Sequence, residues 1–423
     1  MSTLIEEGLA RCGMFGVKPG LDSIDAVCSE MGDPQDSINI IHVAGTNGKG
    51  ATCALIESSL RSSGLNTGRY TSPHLVSLSE RFLLNGAPVA EQTLDEVYAS
   101  MPEMSELTYF ELLTAVAFQL YHREKVDWLV LETGLGGRLD ATNIVEKPKL
   151  CVITRIGLDH CDWLGYTLED IAREKGGIIK DGVPVVLGEM PKEAKEVLEK
   201  IAAEHNAPCY YAPDEMSESD IPEDMALKGK FNRENALTAL TALKVLGVDR
   251  ASIELGFSSV VWNGRFQKIE KGGKGYIVDG AHNPPAVRAL VDALKEEESR
   301  SGFHAASAIC GFCGDKDVAA NLRLLREVVD SVIAVPIRNP RSLSPDETAR
   351  LMREAGFSDV KSCATLEEAL SICADGTVVC GSLFLAGEAL EALGIVDSGN
   401  VRFIQNEPLS SKTMRQGGRS VAL

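Results

Sequence analysis

The chain has 423 residues, 44% hydrophobic and 24% charged, enough apolar material for two or three domains with their own cores. A net charge of −19 argues against sequence-independent binding of DNA or RNA, which needs basic surface, although a pocket can still be locally positive for a small anion. No apolar run approaches the roughly 18 residues that span a bilayer, and MSTLIEEGLARCG at the start has no apolar stretch of a secretory signal, so a cytoplasmic protein with no membrane or nucleic-acid partner is expected.

In chain order, SINIIHVAG reads as a buried strand and ATCALIESSLRSSG as the helix after it. VDWLVLETG is a second apolar strand. KLCVITRIG, with TLEDIAREKGGIIK behind it, and VPVVLG, with PKEAKEVLEKIAAEHN behind it, continue the alternation. Short continuous apolar strands separated by helices predict a mostly parallel sheet covered on both faces. The acidic stretch 213–224 reads as a surface excursion, and NRENALTALTALKVLG as a helix stopped at Gly247. A second βα series follows in GYIVDGAHNPPAVRALVDALK, AASAICGFCGDKD, DSVIAVPIRN and GTVVCGSLFLAGEALEAL. The passage between the two series is SSVVWNGRFQKIEKGGKG. The expected division is therefore 1–261 for a phosphate-loop α/β domain, 262–402 for a smaller Rossmann-like α/β domain, and 403–423 for a polar, loose tail. Eleven cysteines read as reduced thiols. Cys310 and Cys313, in CGFC, have no second CxxC beside them and read as small residues near a strand end rather than a redox or metal pair.

The strongest motif is GTNGKG, running from Gly45 through Thr46, Asn47, Gly48 and Lys49 to Gly50. It directly follows a strand and directly precedes a helix. Glycines let the backbone curl so that successive N–H groups face phosphate oxygens, and the positive end of the helix adds to that field. Lys49 is placed to reach β- and γ-phosphates. The residue after the lysine is glycine, not the Ser or Thr of the common Walker loop. Glu132 closes WLVLE, where a carboxylate reaches the mouth of a parallel sheet. Ser72, in TSPH, and His160, in GLDH, sit on loops after other strands. Asn235, in RENA, offers the donors and acceptor of an amide. Arg265, in NGRF, stands at the proposed junction, where a guanidinium can bridge to phosphates.

In its loop and in YTSPHL, SERFLLNG, TYFELLTAVAF, LETGLGGRLDATN, ITRIGLDHCDWLG, IAREKGGIIK, NRENA, NGRFQ, DGAHNP, GDKD and CGSLFLAGE, taken in order, the chain resembles the folylpolyglutamate synthase / dihydrofolate synthase family of the Mur ligase superfamily. That resemblance implies a Mur ligase central-type domain followed by a glutamate-ligase domain. It also implies ATP and two Mg²⁺ ions. Ser72 and Glu132 would hold the first Mg²⁺, and His160 the second together with Lys175, carbamoylated into a carboxylate-like ligand. By periodicity alone Lys175 is one more solvated lysine, and histidine is an unusual choice for so hard an ion. Asn235 would meet adenine, and Arg265, Asp279 and, by extension, His282 the rest of the nucleotide. The pteroate or folate acceptor would lie against Thr108, Tyr109, Phe110 and Glu111 and against Leu139, Asp140 and Ala141. Lys49, Lys175 and His160 would be the catalytic set, and Lys316 a nearby charge. The chain departs from the family pattern at Ala51, usually Ser, at Gly176, usually Ala, at Phe231–Asn232, usually HQ, and at Asn263, usually Pro.

The implied reaction is phosphoryl transfer from ATP to a carboxylate, giving an acyl phosphate that the α-amine of L-glutamate attacks to form an amide. The acceptor would be dihydropteroate, a folate, or both, and the protein a monomer. Two other readings compete: a Mur-type ligase for another carboxylate, and a nucleotide-binding regulator without turnover, to which Ala51 lends weight.

Overall fold

The structure, a computed structural model, describes residues 3–12, 20–102 and 107–395, so the expected tail 403–423 lies outside the described residues. The first half builds an eight-stranded sheet: β1 (Asn39–Ala44), β2 (Thr67–Tyr70), β3 (Phe82–Leu84), β4 (Ala87–Pro88), β5 (Trp128–Glu132), β6 (Leu150–Ile153), β7 (Val185–Leu187) and β8 (Cys209–Tyr211), in the order β4-β3-β2-β5-β1-β6-β7-β8. From β2 to β8 neighbours run parallel; β3 and β4 are antiparallel additions at one edge. Asn85 and Gly86, with φ of 51° and 78°, form the left-handed two-residue turn that matches strand twist and joins β3 to β4.

Alternation along β1 explains the layers. Ile40 packs with the helix Tyr109–Arg123 on one face, while Ile41 and Val43 pack with the helices Lys49–Ser62, Lys230–Val245 and Arg250–Ser259 on the other. Helices Leu168–Gly176 and Lys192–Glu204 cover the β6–β7 end. Helices Lys49–Ser62 and Arg250–Ser259 cross closely at Gly256, where an added Cβ would lie 2.5 Å from the Ser59 backbone nitrogen. Ser58 Oγ donates to the Gly256 carbonyl there at 2.9 Å.

The second half builds a six-stranded sheet from β9 (Gln267–Lys271), β10 (Lys274–Val278), β11 (Ser307–Cys310), β12 (Ser331–Ala334), β13 (Asp359–Ser362) and β14 (Thr377–Cys380), ordered β13-β12-β11-β14-β10-β9. All pairs are parallel except β9 with β10. This corrects the reading of SSVVWNGRFQKIEKGGKG as a plain connection: its second half is a hairpin turning at Gly272–Gly273, φ 61° and 76°. Gln267 and Ile269 are buried while Lys268 and Glu270 are exposed, so one buried face suffices for the strand. The acidic excursion 213–224 is mostly exposed, with Ile221 within it and Met225 just after it tucked under the first core. Helix Pro284–Ser301 covers one face of the second sheet, and Phe231, from the first half, packs into that core. Among the described residues no helix is long and apolar enough to cross a membrane.

Candidate functional site

The site forms where β1, β5 and β6 end side by side. Val43 is in register with Glu132 on β5 and Val152 on β6, so the loop leaving β1 emerges between the other two loops. Loop 45–50 is laced to the segment after β6. Thr46 N–H donates to the Arg155 carbonyl at 2.9 Å, Thr46 Oγ1 donates to the Gly157 carbonyl at 3.0 Å, and Thr154 Oγ1 donates to the Asn47 carbonyl at 2.8 Å. Gly45 and Gly48 take φ of 150° and 91°, and Cβ atoms there would strike Thr154 Oγ1 and Asn235 Oδ1. The loop's curl is thus fixed from outside, with helix Lys49–Ser62 starting at its end.

Two lysines converge on the Gly45 carbonyl: Lys49 Nζ at 3.2 Å and Lys175 Nζ at 2.8 Å. Lys49 also lies 3.8 Å from Glu132 Oε1, and the Ser72 backbone N–H donates to Glu132 Oε2 at 3.0 Å. Sequence positions 45, 49, 72, 132 and 175 therefore meet at one point. Burial pushes the Glu132 carboxyl above its usual range, and Lys49 is the main charge opposing that. Lys175 is not solvated: it is 4% exposed, and burial, reinforced by the Lys49 charge, holds its ammonium down to about 7. His160 adopts a left-handed backbone, φ 51°, half-exposed beside the same cluster. Its imidazole is pushed below its usual value, first by burial, against the opposing pull of Asp159.

No metal-type group of three or more His, Cys, Asp or Glu exists among the described residues. The donors at hand are one carboxylate, a serine, an imidazole and a lysine. That sparse set fits Mg²⁺, which keeps several waters and takes its remaining ligands from substrate phosphates. Glu132, buried at the mouth of loop 45–50 with Lys49 beside it, is the carboxylate that would hold such an ion. All eleven cysteines are free, with Cys310 and Cys313 buried.

From the second half, Arg265 reaches the same place. It is partly buried, with Asp279 and then Glu132 the carboxylates that favour its charge. Asp279 accepts from the Phe266 and Ala281 backbone N–H groups at 2.7 and 2.8 Å, tying the connection to the turn after β10. His282 Nδ1 donates to the Gly280 carbonyl at 2.8 Å, and burial holds its imidazole at about 4, hence neutral. Asn235 stands against Gly48, at the loop itself. Asp159, passed over in the sequence although it directly precedes His160, spans the two halves: it accepts from Asn283 Nδ2 at 3.0 Å and lies 3.6 Å from Lys316 Nζ.

The candidate acceptor residues split into two kinds. Thr108 and Glu111 form a reciprocal cap on the helix Tyr109–Arg123, each engaged with the other's backbone. Asp140 accepts from the Gly134, Leu135 and Thr142 N–H groups and so organises the loop after β5, with Ala141 buried beside it. Tyr109 lies under the Arg81 guanidinium, at 5.7 Å, and Phe110 against Gly134. Leu139 is exposed, as are Leu158, Trp163 and Tyr166 around His160, apolar surface that periodicity had not singled out. A cavity of about 520 Å³ lies elsewhere, between 218–233 and helix Pro284–Ser301, and includes none of the loop 45–50. Chemistry rather than volume locates the site.

Residues 43–243 match the Mur ligase middle domain and residues 264–383 the Mur ligase glutamate ligase domain. The chain is 34% identical over 369 residues to a Bacillus subtilis dihydrofolate synthase/folylpolyglutamate synthase, covering 78% of this chain and 84% of that one. It is 33% identical over 398 residues to the Escherichia coli protein of the same name, covering 90% and 92%. A crystal structure of a bifunctional folylpolyglutamate synthase/dihydrofolate synthase with Mn, AMPPNP and L-glutamate bound superposes with a TM-score of 0.79 at 32% identity, covering 93% of this chain and 98% of that one.

Proposed function

The chain belongs to the dihydrofolate synthase/folylpolyglutamate synthase family of Mur ligases, and on that premise we propose how its residues run the family's reaction. It is an ATP- and divalent-metal-dependent amide ligase that adds L-glutamate to dihydropteroate or to the γ-carboxylate of a folate. The observation that carries the residue assignment is the convergence of Lys49, Lys175 and Glu132 at the mouth of loop 45–50, faced by Arg265.

Gly45 to Gly50 bind the triphosphate through backbone N–H groups, and Lys49 orients its terminal phosphoryl group. Asn235, Arg265, Asp279 and His282 hold the rest of the nucleotide and bring the second domain onto it. Ser72 and Glu132 would hold one Mg²⁺, and His160 with Lys175 a second; bound there, the ions neutralise charge on the phosphates. A lysine held at about 7 has an amine fraction able to add CO₂ at neutral pH, which supports carbamoylation of Lys175. The acceptor's carboxylate oxygen bonds to the γ-phosphorus as ADP leaves. The glutamate amine then attacks the acyl carbon, loses a proton, and phosphate departs with its electron pair. Tyr109, Phe110 and Leu139 offer flat and apolar surface to the acceptor ring, while Thr108, Glu111, Asp140 and Ala141 hold that surface in place. Closure over the site keeps water from the acyl phosphate.

On this reading the chain divides at residue 262 into two domains, 1–261 and 262–402. The setting proposed is a cytoplasmic monomer acting on small molecules, and the charge of −19 speaks against a nucleic-acid partner. Product analysis by mass spectrometry tests the reading, with dihydropteroate and a tetrahydrofolate offered separately beside ATP, Mg²⁺ and glutamate. One added glutamate residue per ADP formed is expected. ADP release independent of acceptor and glutamate would overturn it.

A further inference from the structure

Arg69 is a cation that none of this chemistry uses. It lies on β2, 4% exposed, and its Nε has no partner. Its nearest carboxylate is Glu57, on the phosphate-loop helix, at 3.9 Å. Glu57 already accepts from Thr67 Oγ1 at 2.7 Å and from Arg61 Nε at 3.2 Å. A buried guanidinium so thinly paired is unfavourable unless something else stabilises it. What covers it is the indole of Trp262, whose centroid is 5.1 Å from the guanidinium carbon. The strand beneath is anchored as well, since the Tyr121 hydroxyl donates to the Arg69 carbonyl at 2.7 Å.

Trp262 belongs to the connection between the domains and packs against the first core, and it also meets the phosphate loop. A Cβ on Gly50 would lie 2.2 Å from the indole Cζ2, so the ring rests directly on the first turn of helix Lys49–Ser62. Each partner is close in sequence to a residue of the site: Gly50 adjoins Lys49, Arg69 precedes Ser72 by three positions, and Trp262 precedes Arg265 by three. Between Trp262 and Arg265 the chain turns at Gly264, φ 65°, whose carbonyl accepts from Gly280 N–H at 2.9 Å. The indole is thus wedged between the strand that leads to the metal serine and the turn that meets the phosphates.

We propose that Arg69 and Trp262 are positioning residues: their stacked pair seats the interdomain connection on the first turn of the phosphate-loop helix, so that nucleotide bound at that turn is transmitted to Arg265. This rests on the nucleotide reading of loop 45–50. Both would act through Arg265 and the phosphate-loop helix.

The test uses the full-length protein with Trp128 and Trp163 replaced by Phe, leaving Trp262 the sole indole of the original three. ADP is titrated, binding is followed by calorimetry, and Trp262 emission is followed by fluorescence. ADP should shift the emission. Arg69→Leu in that background should bind ADP with little change yet lose the shift. In the three-tryptophan protein, Arg69→Leu should lower kcat on the order of tenfold with KM for ATP nearly unchanged, and Trp262→Phe, which keeps a flat ring, should retain kcat. ADP binding with silent Trp262 emission, or Arg69→Leu with shift and kcat intact, overturns the proposal. If calorimetry detects no ADP, the nucleotide reading itself falls and takes the proposal with it. Should Arg69→Leu fail to fold, Trp262→Leu serves instead: a folded variant with unchanged kcat refutes the positioning role.

Discussion

At Lys49 a single charge meets both the loop and the Glu132 carboxylate. Lys49→Ala is expected to abolish ADP formation while circular dichroism and melting stay close to the parent, because the side chain lies at the rim of the core. Ala51 is buried against the first core, while the neighbouring Thr52 has a buried hydroxyl with no partner. Ala51→Ser should keep turnover similar or raise it; a large loss would mean that the helix start cannot accept a hydroxyl there. His42 carries a pH signature. Thr142 Oγ1 donates to Asp140 at 2.5 Å, so His42 Nε2–H donates to Thr142 at 2.8 Å and Nδ1 is left bare. Burial holds this imidazole at about 3, against the usual 6.5. Between those values the unfolded chain binds a proton that the folded one does not, so stability rises with pH and the penalty vanishes above 6.5. His42→Gln, which keeps the donor to Thr142, should make the unfolding free energy shallower in this window by up to about 1.4 kcal/mol per pH unit, read by denaturant titration at several pH values.

Gly256, where two helices cross in backbone contact, sets a limit on the first domain. Gly256→Ala must push helix Arg250–Ser259 off Ser59 and should destabilise by about 1–3 kcal/mol, measured by urea unfolding. Elements of this kind differ in how far they can be read from sequence. β1, β5, β6 and β7 announce themselves as continuous apolar runs, because a central parallel strand is buried on both faces. β8 and β13 do not, being edge strands with exposed or half-exposed side chains. β9 looks like linker because every second residue is charged, although the Gly-Gly turn behind it is a hairpin signal that composition masked. The phosphate loop is legible since glycine spacing, strand and helix coincide within one stretch. Lys175 and Arg69 are not, since a lysine or arginine becomes informative only when tertiary packing encloses it.

Asp159 joins the two halves through two polar contacts, to Asn283 and Lys316. Asp159→Ala should weaken the contact between the halves by about 1.5–3 kcal/mol, the range for hydrogen bonds to charged groups. Faster proteolysis between the halves, at nearly unchanged melting temperature, would register it. Cleaving the protein into its halves raises a separate question of where to cut. Gln267–Lys271 occupies the outer flank of the second sheet. A fragment begun at Lys274 would strip that flank, leaving a row of bare amides and carbonyls along Lys274–Val278 that invites self-association, visible as light scattering. Begun at Gly264, the same fragment keeps its selvedge, which makes those few residues part of the fabric they border and not a tether sewn on afterwards.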